Sequence, residues 1–169
     1  MKKINLLVFL VFLLIQNLSG QNNESANVQV KASLIRGISV ISQNNVLDFG
    51  EIILSNSPVT LNKPPQEGLR FKIFSHPDKP VLINFDVIQL KLESNNNSTS
   101  NLIFIPKVFH TGINSEFVDP VEITPGVYYQ PDAQAGEGIM NLWVGGTLQI
   151  NQDNLHGDYS GALVITIAY

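Results

Sequence analysis

Short runs in which apolar and polar residues alternate recur along this chain, and turn-forming residues separate them. In the run 69–75, for example, Leu69, Phe71 and Ile73 alternate with basic residues. A period of two places such apolar side chains on one face of an extended strand. No segment shows a 3.6-residue apolar period that begins at a capping residue, so we expect almost no helix. The pattern therefore predicts an all-β protein.

These runs predict nine or ten short strands, and this number at this spacing is typical of an antiparallel sandwich or barrel. Gly145 and Gly146 lie between two runs and fit a two-residue hairpin turn. Four aromatic residues are predicted as buried anchors between the sheets: Phe49, Phe71, Phe85 and Trp143. The predicted strands occupy residues 27–34 with a continuation over 37–42 after a bend at Gly37, 46–54, 59–62, 69–75, 81–92, 102–109, 126–130, 139–144, 147–150 and 159–169.

The closing stretch, 157–169, leaves a polar loop at Gly157 and then alternates to the last residue. Both faces of the strand it predicts are largely apolar, so we interpret it as the final central strand, clamped by neighbours. Two alternatives stay open, namely a strand beside which a chaperone adds its own strand and the last strand of a membrane barrel. A membrane barrel is disfavoured because the strands of such barrels alternate apolar with polar residues, whereas both faces of this strand are largely apolar. The two faces carry Leu163, Ile165, Ile167 and Tyr169, and Ala162, Val164, Thr166 and Ala168.

The beginning of the chain has the layout of a secretory signal peptide. Lys2 and Lys3 precede the unbroken apolar run 6–15, and small polar residues follow it up to Gly20. Ten apolar residues are too few to span a bilayer, for which about 20 are needed, so a retained anchor is the less favoured alternative. We therefore predict a signal peptide over 1–20, a flexible leader over 21–26 and a single domain over 27–169. The mature protein is expected to be secreted, periplasmic or attached to the cell surface.

Charge and cysteine content exclude several classes of protein. The chain has 10 Lys and Arg against 14 Asp and Glu, and removing Lys2 and Lys3 leaves 8 − 14 = −6. A negative balance disfavours nucleic-acid binding, which needs a basic face, and docking on anionic lipid. The chain has no cysteine, which excludes thiol catalysis, cysteine-ligated metals and disulfides. We predict no nucleic-acid partner and no membrane insertion.

Three motifs occur together in a fixed order. "LDFGEI" lies at 47–52, "GGTLQI" at 145–150 and "GDYSGALVITIAY" at 157–169. Together they resemble domain-of-unknown-function family 4402, a group of small secreted bacterial domains. The ending is also similar to spore coat U and fimbrial-subunit domains, although the cysteines of many fimbrial subunits are missing. The resemblance implies an immunoglobulin-like antiparallel β-sandwich that is exported to the periplasm or cell surface.

Catalytic motifs are missing from the sequence. It contains no Gly-x-Ser-x-Gly nucleophile elbow, no His-Glu-x-x-His zinc motif and no phosphate-binding loop. The loop 151–158 carries four oxygen-bearing side chains, which we interpret as an Asx-rich turn rather than a calcium loop. Nothing brings the carboxylates of Asp119, Glu122 and Asp132 together for glycoside chemistry. The three histidines are all expected in exposed loops: His76, His110 and His156.

The sequence therefore predicts no catalytic, cofactor-binding or metal-binding residues, no cofactor and no enzyme activity. We expect an exported, non-enzymatic β-sandwich with a structural or adhesive role at the cell surface or in the periplasm. The alternative is a carbohydrate- or peptide-binding module that uses the loops of 110–138. Edge strands are predicted sites of self-assembly or chaperone contact. Asn27–Leu34 either closes its own domain or exchanges with a neighbour, and a monomer is favoured.

Overall fold

The computed structural model of this protein describes residues 31–32, 34–42, 44–53, 57–93 and 100–169. The predicted signal peptide, the leader and most of the predicted first strand lie outside the described residues. Residues 35–169 form one compact unit, and the fold below is that of this unit.

The unit is built of short antiparallel strands, which confirms the all-β, sandwich-like prediction. Within the described ranges the helical structure is the single 3-10 turn Pro65–Glu67, and no helix there is long and apolar enough to cross a bilayer. The strands are β1 (Ser39–Ser42), β2 (Val59–Lys63), β3 (Leu69–Ser75), β4 (Val81–Asn84), β5 (Ile88–Leu92), β6 (Asn101–His110), β7 (Val121–Glu122), β8 (Val127–Tyr129), β9 (Asp132–Gln134), β10 (Glu137–Ile150), β11 (Tyr159–Ser160) and β12 (Thr166–Ala168).

A large curled sheet is organised around β10. Its strand order is β1-β3-β10-β6-β5-β11, and a smaller sheet has the order β12-β4-β8. One edge of β10 pairs first with β3 and then with β2, while the other pairs first with β9 and then with β6. The fourteen residues of β10 therefore run the length of the large sheet.

Apolar side chains of β10 lie in two clusters, one at each end of the strand. The closed core lies beneath the small sheet and comprises Ile73, Val81, Ile83, Phe85, Val108, Ile123, Met140, Leu142 and Val144. The open core lies towards the end of β10 and comprises Leu102, Phe104, Leu148 and Ile150. Even-numbered residues of β10 enter both clusters, as the period of two requires.

The predicted hairpin at Gly145-Gly146 is wrong, because β10 continues through both residues. The glycines are needed there because other backbone lies too close for a side chain. A Cβ on Gly145 would lie 2.3 Å from the Lys63 carbonyl oxygen and 2.6 Å from the Pro65 nitrogen. A Cβ on Gly146 would lie 2.5 Å from the Ile105 carbonyl oxygen. Close packing, rather than a turn, thus explains the pair.

The predicted strand 81–92 is divided between the two sheets. Residues 81–84 form β4 in the small sheet, and 88–92 form β5 in the large sheet. Phe85 is 7% exposed and packs in the closed core, as predicted, but Val87 is 57% exposed. The alternation that would bury Val87 together with Phe85 ends there because the chain passes from one sheet to the other.

Two other predicted strands differ from the prediction. Residues 46–53 form no strand, although Phe49 packs against the open core as expected. The closing stretch is not a central strand: β11 pairs with β5 at the edge of the large sheet, and β12 pairs with β4 at the edge of the small one. Gly161–Ile165 crosses between the sheets and pairs with neither.

Trp143 is not an anchor between the sheets. As an odd-numbered residue of β10 it lies on the outer face, where its ring packs edge-on to Phe117 at 5.5 Å. The guanidinium of Arg70 lies 5.4 Å from the ring centroid, and its indole Nε1 donates to the Thr111 hydroxyl at 3.0 Å. Both the cation and the neighbouring ring therefore engage the indole of this chain's single tryptophan. The prediction was wrong because alternation does not say which face is inside.

Candidate functional site

A cavity of about 1260 Å³ opens beside the open core. Voids larger than a water molecule are rare in packed protein interiors, and dedicated ligand pockets usually measure about 300–1000 Å³. Its floor is formed by large apolar side chains of both cores and of neighbouring strands: Leu69, Phe71, Leu90, Leu102, Phe104, Leu142, Val144, Leu148 and Ile150. A surface of this size and character is the strongest candidate for a binding site within the described chain.

One wall of the cavity is residues 44–53, which we call the first rim. Side-chain hydrogen bonds shape it: the Asn44 Oδ1 accepts from the Val46 amide at 3.1 Å, and the Asp48 Oδ1 accepts from the Gly50 amide at 2.8 Å. Such Asx turns compete with strand pairing, and Gly50 has a φ of +70°. The ring of Phe49 fixes the rim to the floor by packing against Phe104 at 5.9 Å.

The opposite wall is residues 154–165, which we call the second rim. Its beginning is held by Ser100, which is buried. The Ser100 hydroxyl accepts from the Leu155 amide at 3.2 Å and from the Asn154 side chain at 3.0 Å. The Tyr159 hydroxyl bonds the same oxygen at 2.7 Å and donates to the Leu155 carbonyl at 2.8 Å. The second rim is thus tied to the start of β6.

Tyr169 fixes the chain just beyond the second rim. Its hydroxyl accepts from the His76 amide at 2.8 Å and donates to the carbonyl of Arg36. The Arg36 guanidinium forms an ion pair with Glu137. The Tyr169 side chain therefore connects the last residue both to the end of β3 and to the residues just before β1.

The rims have backbone groups without strand partners. Among the described residues, neither 44–53 nor 161–165 makes a backbone-to-backbone hydrogen bond with another segment. Their outward side chains are also apolar, since Ile53 is 91% exposed and Val164 is 68% exposed. Exposed apolar residues around a cavity are typical of an interaction site, and unpaired backbone is typical of a strand-pairing edge.

The charged groups that line the cavity are mainly acidic. They are Asp48 and Glu51 on the first rim and Asp158 on the second, beside the exposed His156. The lining contains no lysine or arginine. An occupant with a positive charge and no carboxylate therefore suits the cavity best.

The histidines lie in different surroundings and do not meet. His110 is the last residue of β6 rather than an exposed loop residue, and its ring packs edge-on to Tyr129 at 5.3 Å. Burial lowers the pKa of His110, and the nearby carboxylate of Asp132 opposes this by raising it. His156 is exposed at the cavity mouth, and the Nδ1 of His76 accepts from the Asp78 amide at 3.2 Å.

The acidic loops serve local structure. In the loop 151–158 the Asn154 side chain accepts from the Asn151 amide at 2.6 Å and donates to the Asn101 carbonyl at 2.9 Å, so it bonds within the loop and to the start of β6. The Asp132 carboxylate accepts from the Ile113 amide at 2.8 Å. No group of three or more potential metal ligands occurs within the described ranges.

No protein-family model matches this chain, and no curated protein is significantly similar to it in sequence. The resemblance to family 4402 therefore stays a prediction. The sequence pattern did not predict the cavity. The sequence signal for it lies in the runs 47–53 and 161–165. Both runs are apolar enough for strands, but the described chain contains no strand that pairs with either of them.

Proposed function

We propose that this protein is an exported, non-enzymatic β-sandwich with a structural role at the cell surface or in the periplasm. Its interior is completed by an extended apolar segment that adds as a strand between the two rims. The observation that carries this proposal is the large apolar cavity flanked on both sides by backbone that pairs with no strand in the described chain.

A strand suits this cavity better than a small apolar molecule. Either occupant would fill the volume, but a strand also supplies partners for backbone N–H and C=O groups along the rims. Burying such groups without partners costs about 1–3 kcal/mol each. Addition of a strand to a sheet edge provides affinity through the main chain and specificity through alternate side chains. Leu163 and Ile165 already point towards the core and would pack against that strand.

The test is binding of extended peptides to the full chain, followed by amide hydrogen exchange. Peptides that alternate Val with Thr are expected to slow exchange at residues 161–165. Leu163→Asp places a charge in the cavity wall and is expected to abolish the protection. Val87→Asp is the control, because Val87 is exposed and does not line the cavity.

The same experiment can also contradict the proposal. If a small apolar dye saturates the cavity and no peptide protects residues 161–165, the site is a small-molecule pocket and the proposal is wrong.

Export is tested separately, by N-terminal sequencing of the protein from its native source. The signal-peptide pattern predicts a mature protein that begins near Gln21. An intact Met1 in the cytoplasmic fraction would contradict export.

A further inference from the structure

We propose that the outer face of the large sheet binds an acidic saccharide, whose carboxylates meet Arg70 and Lys72 of β3. The inference goes beyond the proposed function and does not depend on it, because neither residue lines the cavity. It rests on a pair of half-buried cations, each lying over an aromatic ring. Neither cation is paired with a carboxylate among the described residues.

Both cations lie on the face of the sheet that points away from the two cores. Arg70 is opposite Trp143 in the register of β3 and β10, and Lys72 is opposite Asn141. Odd-numbered residues of β10 point outward, because the even-numbered ones enter the cores. Since Arg70 and Lys72 are alternate residues of one strand, their backbones lie about 7 Å apart. They therefore form a short basic row, which suits a ligand with a negative charge on successive units.

Arg70 is held in one orientation by the groups around it. Its guanidinium lies 5.4 Å from the centroid of the Trp143 ring, and its Nη1 donates to the Ser115 carbonyl at 2.7 Å. The indole is itself fixed, because its Nε1 donates to the Thr111 hydroxyl and Phe117 packs edge-on against it. A guanidinium has five N–H donors, so donors remain for an anion. An arginine that is already oriented loses little conformational freedom when it binds a carboxylate.

Lys72 is oriented in a similar way by its neighbour Phe74, with the ammonium 5.0 Å from the ring centroid. The ion pair within the described ranges joins other residues, namely Arg36 and Glu137. The acidic residues of the adjoining loop and of β7, such as Glu116, form no ion pair with either cation. An anionic ligand would therefore supply the opposite charge that this part of the sheet lacks.

The sheet face suits a saccharide better than an acidic peptide. β3 pairs with β1 and β10, and β10 also pairs with β6. A peptide lying across these strands finds no free edge to pair with, and burying its amides without partners is unfavourable. A sugar ring instead presents C–H groups to aromatic and aliphatic side chains, which Phe74, Phe117 and the exposed Ile41 provide. Two cations are also too few for a nucleic acid, which needs a broad basic face.

The test is binding of tetragalacturonate to the full chain, measured by isothermal titration calorimetry. The fully methyl-esterified tetrasaccharide has the same rings without the charges and is expected not to bind. The emission of Trp143, the single tryptophan of the chain, is expected to change along the same saturation curve, because the indole contacts Arg70. Lack of binding, equal binding of the ester, or binding that leaves the emission unchanged would each overturn the inference.

Three charge-neutralising variants locate the site. Arg70→Gln is expected to weaken binding about tenfold or more, because it removes charge-assisted hydrogen bonds. Lys72→Gln should weaken it less, since an ammonium lacks the planar fork of a guanidinium. Lys91→Gln is the matched control: Lys91 is exposed on the same side of the sheet but lies on β5, three strands from β3. It should leave the affinity unchanged.

Equal weakening by all three variants would indicate non-specific attraction and overturn the inference. Thermal unfolding of each variant checks that it is folded. If Arg70→Gln does not fold, the comparison of Lys72→Gln with Lys91→Gln still decides, because weaker binding is expected for Lys72→Gln alone.

Polyglutamate and oligothymidylate test the other classes of ligand, and neither is expected to displace tetragalacturonate. Tighter binding of polyglutamate would assign the face to an acidic peptide, and tighter binding of oligothymidylate would assign it to a nucleic acid. Either result overturns the inference. None of these outcomes affects the proposed function, whose measurement is amide exchange at residues 161–165 in the presence of apolar peptides.

Discussion

The closed core and the open core are served by the same strand, β10, but are covered differently. The small sheet of β4, β8 and β12 covers the closed core, and its central side chains, such as Ile73 and Ile83, are fully buried. Two irregular rims flank the open core and leave a cavity of about 1260 Å³ between them. Apolar sequence is abundant at both ends, so hydrophobicity does not distinguish them. What distinguishes them is whether the covering segments have strand partners.

Emptying an aromatic site gives the largest expected contrast between the two cores. Phe85→Ala in the closed core should lower the free energy of unfolding by about 3–5 kcal/mol, because the surrounding strands cannot close the hole. Phe104→Ala in the open core should cost only the transfer term of about 1.5–3 kcal/mol, because Phe104 already borders a cavity. Urea unfolding of both variants measures the difference. Equal losses would show that the open core is as tightly packed as the closed one.

Enlarging a side chain should have opposite consequences at the two ends. Ile83→Phe overfills the closed core and should cost about 1–3 kcal/mol. Leu163→Phe extends into the cavity and should leave stability unchanged or raise it. Thermal unfolding of the two variants provides the comparison, and a large loss for Leu163→Phe would mean that the cavity is not available space.

The junction between the cores is expected to be intolerant of any side chain. Gly145→Ala drives a methyl group into backbone atoms of Lys63 and Pro65 and should cost about 1–3 kcal/mol. Gly37→Ala is the matched control, since nothing lies within 4 Å of the added methyl group there. Gly37→Ala should be neutral or slightly stabilising. Similar losses for both variants would contradict the packing explanation of the glycine pair.

The smallest expected effect is the pH dependence contributed by His110 at the end of β6. Because burial lowers the pKa of His110, the unfolded chain takes up a proton before the folded one as the pH falls. Stability should therefore decline between about pH 7 and pH 5, and the decline is small because Asp132 opposes the shift. His110→Gln should flatten this part of the profile. A wild-type profile unchanged by His110→Gln would contradict the assignment.

The alternation of apolar and polar residues predicts burial correctly where a predicted strand lies wholly within one sheet. The run 69–75 became β3 with Leu69, Phe71 and Ile73 towards the closed core, as the alternation predicted. The run 102–109 likewise lies within β6. In these runs every residue has a neighbour on the same sheet, so a period of two translates directly into burial.

The failures have one physical origin, which is that pairing is not local. Residues 46–53 and 161–165 have strand-like composition but no partner in the described chain. In the sequence Gly145 and Gly146 resemble a hairpin turn, but in the structure β2 and the turn at Pro65 pack against them. Trp143 has the size of a core residue, but the face it occupies depends on the sheet around it. The cavity could not be predicted for the same reason, because it depends on which described segments pair with one another and which do not.

The continuity of β10 has a consequence for how the domain opens. Seven consecutive register pairs join its first half to β3, beginning with Gly138 opposite Ser75 and ending with Val144 opposite Leu69. Eight register pairs join its second half to β6. Neither core can unfold without disturbing a strand that the other also needs. The domain should therefore behave as one cooperative unit, with its slowest-exchanging amides along β10. Such a strand lets the rest of the domain stay folded although a cavity opens beside the open core.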